Sequence, residues 1–104
     1  MGRAQTIDDV ISILKSHEGF FREQGVTRLA VFGSMARGDA RPDSDVDLVI
    51  DLDPDAKFSL LDLVHVKNET SDVLGCKVDV VLRRSVKPRL LGAIERDGVD
   101  VFTV

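Results

Sequence analysis

The residues best suited to chemistry are two aspartates one residue apart, Asp45 and Asp47, which follow a glycine-serine pair, Gly33-Ser34, after ten intervening residues. In an extended segment alternate side chains share a face, so the two carboxylates project together while Val46 and Leu48 turn away. Their α-carbons then lie about 6.6 Å apart, close enough for both to ligate one hard cation or to bridge two. Glycine lets backbone approach a phosphate closely, and Ser34 adds a hydroxyl donor where a strand ends and a helical turn begins. Arg37, just past that turn, is a candidate phosphate ligand.

A third acid strengthens the pattern. Asp79 interrupts Val78-Asp79-Val80-Val81-Leu82, an otherwise apolar run. A carboxylate there is costly unless it is paired, hydrated or bound to metal. If this run lies beside the strand of Asp45 and Asp47, the three acids share a face. Such a cluster suits two-metal phosphoryl or nucleotidyl transfer, with Asp79 accepting the proton of the attacking hydroxyl. The plainer readings are surface acids on strand edges, an ordinary turn at Gly33 and a surface arginine at position 37. Like charges on one face, with no cation in the strand to offset them, weigh against the first of these.

These side chains require elements to hold them. Thr6 and Asp9 form the start signal of a helix whose apolar positions Ile7, Val10, Ile11, Leu14 and Phe21 recur at helical spacing, with Gly25 as its end. Leu29 to Phe32 reads as a central strand covered on both faces, followed by a helical turn from Ser34 and a loop from Asp39 to Ser44. A second strand runs from Asp45 to Asp51. Ser59 and Asp62 cap a helix that carries Leu60, Leu63, Val64, Val73 and Leu74 inward, stapled by Phe58 on Leu63 and ended by Gly75. A third strand spans Lys77 to Leu82. A third helix spans Ser85 to Asp97, with Pro88 in its first turn, and Val99 to Val104 closes as a strand. The fold class expected is α+β with an α/β-type mixed sheet: one domain over residues 1–104, about four strands flanked by about three helices. The first two strands are joined by about twelve residues without a full helix, which favours an antiparallel pair.

Composition narrows the function. An apolar fraction of 43% and a charged fraction of 31% exclude a disordered chain. The formal net charge of −4 supplies no basic field for nucleic acid, and five Phe without Trp or Tyr offer few platforms for base stacking. Nucleic-acid binding is therefore not expected. Cys76 is the only cysteine, and with just His17 and His65 beside it there is no Cys/His metal cluster. His17 reads as a packing or solvated residue. The N-terminal residues carry no apolar signal segment, and no run approaches the roughly 18 apolar residues of a membrane span, so a cytoplasmic protein with no membrane partner is expected.

Gly33-Ser34, ten residues, then Asp45-Val46-Asp47, with Asp79 on a later strand, resembles the DNA polymerase beta-like nucleotidyltransferase superfamily. Gly33-Ser34-Met35-Ala36-Arg37-Gly38 and Ser44-Asp45-Val46-Asp47-Leu48 look like its minimal nucleotidyltransferases (MNT), over essentially the whole chain. The resemblance implies transfer of a nucleoside monophosphate from a Mg²⁺-bound nucleoside triphosphate, ATP, with two Mg²⁺ ions. It implies Asp45, Asp47 and Asp79 as metal-binding and catalytic residues, and Gly33 and Ser34 as holders of the terminal phosphates. Larger relatives carry a further domain for the acceptor, and about 22 residues after the third strand are too few for one. Minimal members pair with HEPN-domain ribonuclease toxins and add AMP to a tyrosine of the toxin, so the resemblance implies an antitoxin. The alternatives are an antitoxin that masks its toxin without chemistry, or nucleotide transfer to a small molecule or RNA. Arg83, Arg84, Lys87 and Arg89 are either part of a partner surface or a solvated basic face.

Overall fold

Two capping boxes start the chain's main helices, as their sequence signals require. In the computed structural model, which describes residues 6–39 and 45–104, α1 spans Ile7–Ser16 and α4 spans Leu60–Leu74. Asp9 N–H donates to the Thr6 hydroxyl at 3.1 Å, and Thr6 N–H donates back to the Asp9 carboxylate at 3.3 Å. Ser59 and Asp62 repeat the exchange at 2.8 and 3.3 Å.

The first helix does not run unbroken to Gly25. It stops at His17, and a separate α2 covers Glu18–Glu23. Ser16 donates its hydroxyl to the Ile13 carbonyl at 2.6 Å, and His17 Nδ1 lies 3.0 Å from the same oxygen. Side chains that bond nearby carbonyls compete with the helical ladder, and the helix ends. The break redirects α2 so that Phe21 packs on Phe102, with ring centroids 6.3 Å apart. His17 is thus a junction residue, in keeping with a packing role.

The four strands are β1 (Val26–Phe32), β2 (Val46–Leu52), β3 (Val78–Leu82) and β4 (Val99–Thr103), in the order β3-β2-β1-β4. β1 pairs antiparallel with β2, as the short connection favours, and antiparallel with β4 on its other side. β2 and β3 are parallel, with α4 as their crossover. The sheet is mixed and the class is α+β. Of the loop expected from Asp39 to Ser44, residues 40–44 lie outside the described residues.

Alternation divides the sheet into two faces. Leu29, Val31, Val46, Leu48, Ile50, Val78 and Val80 join the main core with residues of α1, α2 and α4. Ala30, Phe32 and Val49 face the other way and meet Ile94 of α5 (Pro88–Asp97) in a smaller core. Five α-helices are present among the described residues: the break at His17 adds α2 to the three main helices expected, and the helical turn expected from Ser34 is the short α3 (Gly33–Arg37).

Two helical expectations need correction. α4 buries Val66, Thr70 and Leu74, spaced by four, while Leu60 is 76% exposed and Val64 45%. Thr70 sits in the core because its hydroxyl donates to the Val66 carbonyl at 2.6 Å. α5 begins at Pro88 rather than Ser85, since Arg83–Ser85 forms a 3₁₀ turn instead. That turn is held by Arg83, whose Nε donates to both Asp51 carboxylate oxygens at 3.0 and 3.1 Å.

Candidate active site

Register brings the predicted residues together at one end of the sheet. Phe32, the last residue of β1, pairs with Asp47, and Asp47 pairs with Asp79 across the parallel ladder. Gly33-Ser34, Asp47 and Asp79 therefore stand in a row across β1, β2 and β3. Asp45 precedes β2 by one residue and is exposed. Asp47 and Asp79 alternate with the buried Val46, Leu48, Val78 and Val80, so they face the thinly covered side of the sheet. A carboxylate row on an open face is accessible to a solvated ligand.

Gly33 is shaped to the aspartate beside it. Its φ is +74°, and a Cβ built on it would run into Asp47 Oδ2. The position thus requires glycine twice over, for its backbone conformation and for the space. α3 follows at once and ends at Gly38, in the left-handed conformation with φ 81°. Arg37 lies in its last turn, exposed and 3.4 Å from Asp39.

The electrostatics single out Asp47. Burial pushes its carboxyl above the ordinary carboxylate range, repulsion from Asp79 and then Asp45 adds to this, and Arg37 partly opposes it. A carboxylate raised by its own neighbours favours a cation. No group of three acidic, histidine or cysteine side chains among the described residues forms a ready metal cage. The donor set still fits Mg²⁺, which takes one or two carboxylates and completes its octahedron with water and substrate phosphates.

Asp79 is exposed on β3, the edge strand, so hydration rather than metal already relieves the cost that its apolar neighbours suggest. Its place opposite Asp47, not its burial, keeps it in the candidate site. Among the other candidates, Arg83 is committed to Asp51, whereas Arg84, Lys87 and Arg89 are exposed, as both a partner surface and a solvated basic face require.

Sequence reasoning missed a polar cavity of about 220 Å³ against Asp45 and Asp79, also lined by Lys67, Asn68 and Ser71 of α4 and by Lys77 and Val78. Lys67, Asn68 and Ser71 share one side of a helix by their spacing, but only the crossover packing sets that side against the start of β3.

Comparison with known proteins agrees with this arrangement. Residues 11–101 match the nucleotidyltransferase domain family. The protein adenylyltransferase MntA of Thermococcus cleftensis is 36% identical over 97 residues, covering 92% of this chain and 96% of its own. A solved minimal nucleotidyltransferase superposes with a TM-score of 0.79 at 32% identity, covering 94% of this chain and 98% of that one. A likeness of fold at 14% identity, TM-score 0.66, extends to an MNT antitoxin in complex with the tri-AMPylated Shewanella oneidensis HEPN toxin, over 90% of this chain and 73% of that one. With the glycine-serine turn and the aspartates aligned on adjacent strands, these matches place the chain in the nucleotidyltransferase domain family, among its minimal members, as a nucleotidyltransferase enzyme.

Proposed function

We propose that this enzyme transfers AMP from ATP to a tyrosine of a HEPN-type toxin, adding further AMP units in succession, and so acts as the antitoxin of the pair. The observation that carries the reading is the row Gly33-Ser34, Asp47, Asp79 on three adjacent strands, which pairs a phosphate-holding turn with facing carboxylates. The relative named as a protein adenylyltransferase and the fold neighbour bound to a tri-AMPylated toxin support the donor and the partner.

In this reading Asp45 and Asp47 hold Mg²⁺, with Asp79 completing the site and Gly33 and Ser34 receiving the terminal phosphates. Bound there, Mg²⁺ (two ions in our reading) offsets the phosphate charge and lowers the pKa of the attacking hydroxyl. Asp79 accepts the hydroxyl proton as the acceptor oxygen bonds to the α-phosphorus. The bond from that phosphorus to the oxygen bridging to the β-phosphate breaks, and pyrophosphate leaves. Arg37, already near enough to bias the Asp47 carboxyl, faces the same charge. Leu60 and Leu61, 76% and 80% exposed on the first turn of α4, provide apolar surface of the kind a protein partner covers.

Incubation of the protein and its toxin partner with labelled ATP and Mg²⁺ tests the reading. Label should appear on the partner and vanish with Asp45→Asn/Asp47→Asn. Neutralisation of the toxin by that double variant would instead support masking without chemistry.

A further inference from the structure

The cavity against Asp45 and Asp79 adds to these two acids a lining suited to an anion. Its walls carry two ammonium groups, Lys67 and Lys77, with the Asn68 amide between them in chain order. Neither lysine makes an ion pair among the described residues, although Asp45 and Asp79 line the same cavity. Both lysines are exposed, so their ammonium groups are open to a solvated ligand.

The backbone around the cavity is held in place. Ser71 donates its hydroxyl to the Cys76 carbonyl at 2.6 Å, tying α4 to the residue before Lys77. Val46 N–H donates to the Lys77 carbonyl at 3.0 Å, which pins Lys77 next to Asp45. The volume, about 220 Å³, is several times the roughly 30 Å³ share of one water and accepts a phosphate with part of a sugar.

Position identifies the anion. The row across the strands runs from the Gly33-Ser34 turn through Asp47 to Asp79, and Asp79, at its far end, also lines the cavity. In phosphoryl transfer the attacking and leaving oxygens lie roughly in line. With the donor phosphates at the turn, the far side belongs to the acceptor. We propose that this cavity is an acceptor subsite, in which Lys67, Lys77 and Asn68 hold the phosphodiester of an acceptor that already bears a nucleotide and present its ribose hydroxyl to Asp79. That hydroxyl oxygen then bonds to the α-phosphorus of the next ATP, its proton passes to Asp79, and pyrophosphate leaves. The subsite explains how one small site serves a neutral first hydroxyl and then a charged one. It rests on the adenylyl transfer proposed above.

The test compares the wild-type protein with Lys67→Ala/Lys77→Ala and Lys67→Arg/Lys77→Arg, using the full partner, ATP and Mg²⁺, and following AMP units per acceptor by intact mass over time. In the alanine variant the rate of the second addition should fall about tenfold or more relative to the first, and arginine should restore it. A parallel fall in both additions would assign the lysines to the donor triphosphate and overturn the proposal. So would an unchanged distribution, or a wild-type protein that stops at one AMP. No transfer at all by the wild type would be a different failure, that of the proposed function itself. Titration of the metal-free protein with AMP gives a readout without catalysis: amide shifts at Asn68 and Lys77 should saturate, and their absence would also overturn the subsite.

Discussion

The Asp47 carboxylate occupies the space that a side chain on Gly33 would need. The two residues come from different strands, and the pairing of Phe32 with Asp47 sets the contact. The turn proposed to hold phosphate and the acid proposed to bind metal are therefore built as one unit.

Gly33→Ala should break that unit. The variant must hold a left-handed residue and displace Asp47, which together cost about 1–3 kcal/mol of stability. Urea unfolding should show that loss, and label transfer should fall by at least about a hundredfold, since a displacement near 1 Å suffices for this. Wild-type activity in Gly33→Ala would remove the turn from the site.

Asp47→Asn should separate stability from activity. The substitution removes a carboxylate that burial and two acidic neighbours disfavour, so the metal-free protein should gain slightly in stability, by little because the group is partly solvated. Transfer should be lost. A lower melting temperature in metal-free buffer would contradict this account of the site's electrostatics.

Nucleotide should stabilise the wild type through the same carboxylates. At a hundredfold excess over Kd, ATP with Mg²⁺ should add about 2.7 kcal/mol, or a rise of some ten degrees or more in a domain of this size. Asp45→Asn/Asp47→Asn should show little of this rise. An equal rise in the variant would mean that nucleotide binds elsewhere.

Asp79→Asn addresses the acceptor half. If Asp79 takes the hydroxyl proton, kcat should fall by roughly 10²–10⁴ while the KM for ATP changes little. A change confined to KM would make Asp79 a nucleotide-binding residue instead.

Arg83→Ala should destabilise the fold by about 1–2 kcal/mol, because it leaves the partly buried Asp51 without its partner and frees the 3₁₀ turn. Arg84→Ala, at an exposed neighbour, should stay within about 0.5 kcal/mol. Equal effects in chemical denaturation would rule out the Asp51 pairing as a tether.

Local chemistry alone made much of this protein legible. Thr6 with Asp9, Ser59 with Asp62, and Gly75 act within one turn of chain, so their caps follow from residue type and spacing. The turn at Gly33-Ser34 and the alternation of Asp47 with apolar neighbours are local in the same sense, and the candidate site was readable from them. What the chain could not state locally depends on which elements pack together. The break at His17 serves the contact of Phe21 with Phe102, far along the chain. The exposure of Leu60 and Val64 follows from the angle at which α4 crosses the sheet, and apolar character alone carries no such angle. Asp79 entered the candidate site through the parallel register of β3 on β2, and Lys67 and Lys77 came to line one cavity through the packing of α4 beside β3. Side-chain type and short-range hydrogen bonding are written residue by residue, whereas the meeting of distant residues is settled only when burial of both sheet faces selects one register and one packing.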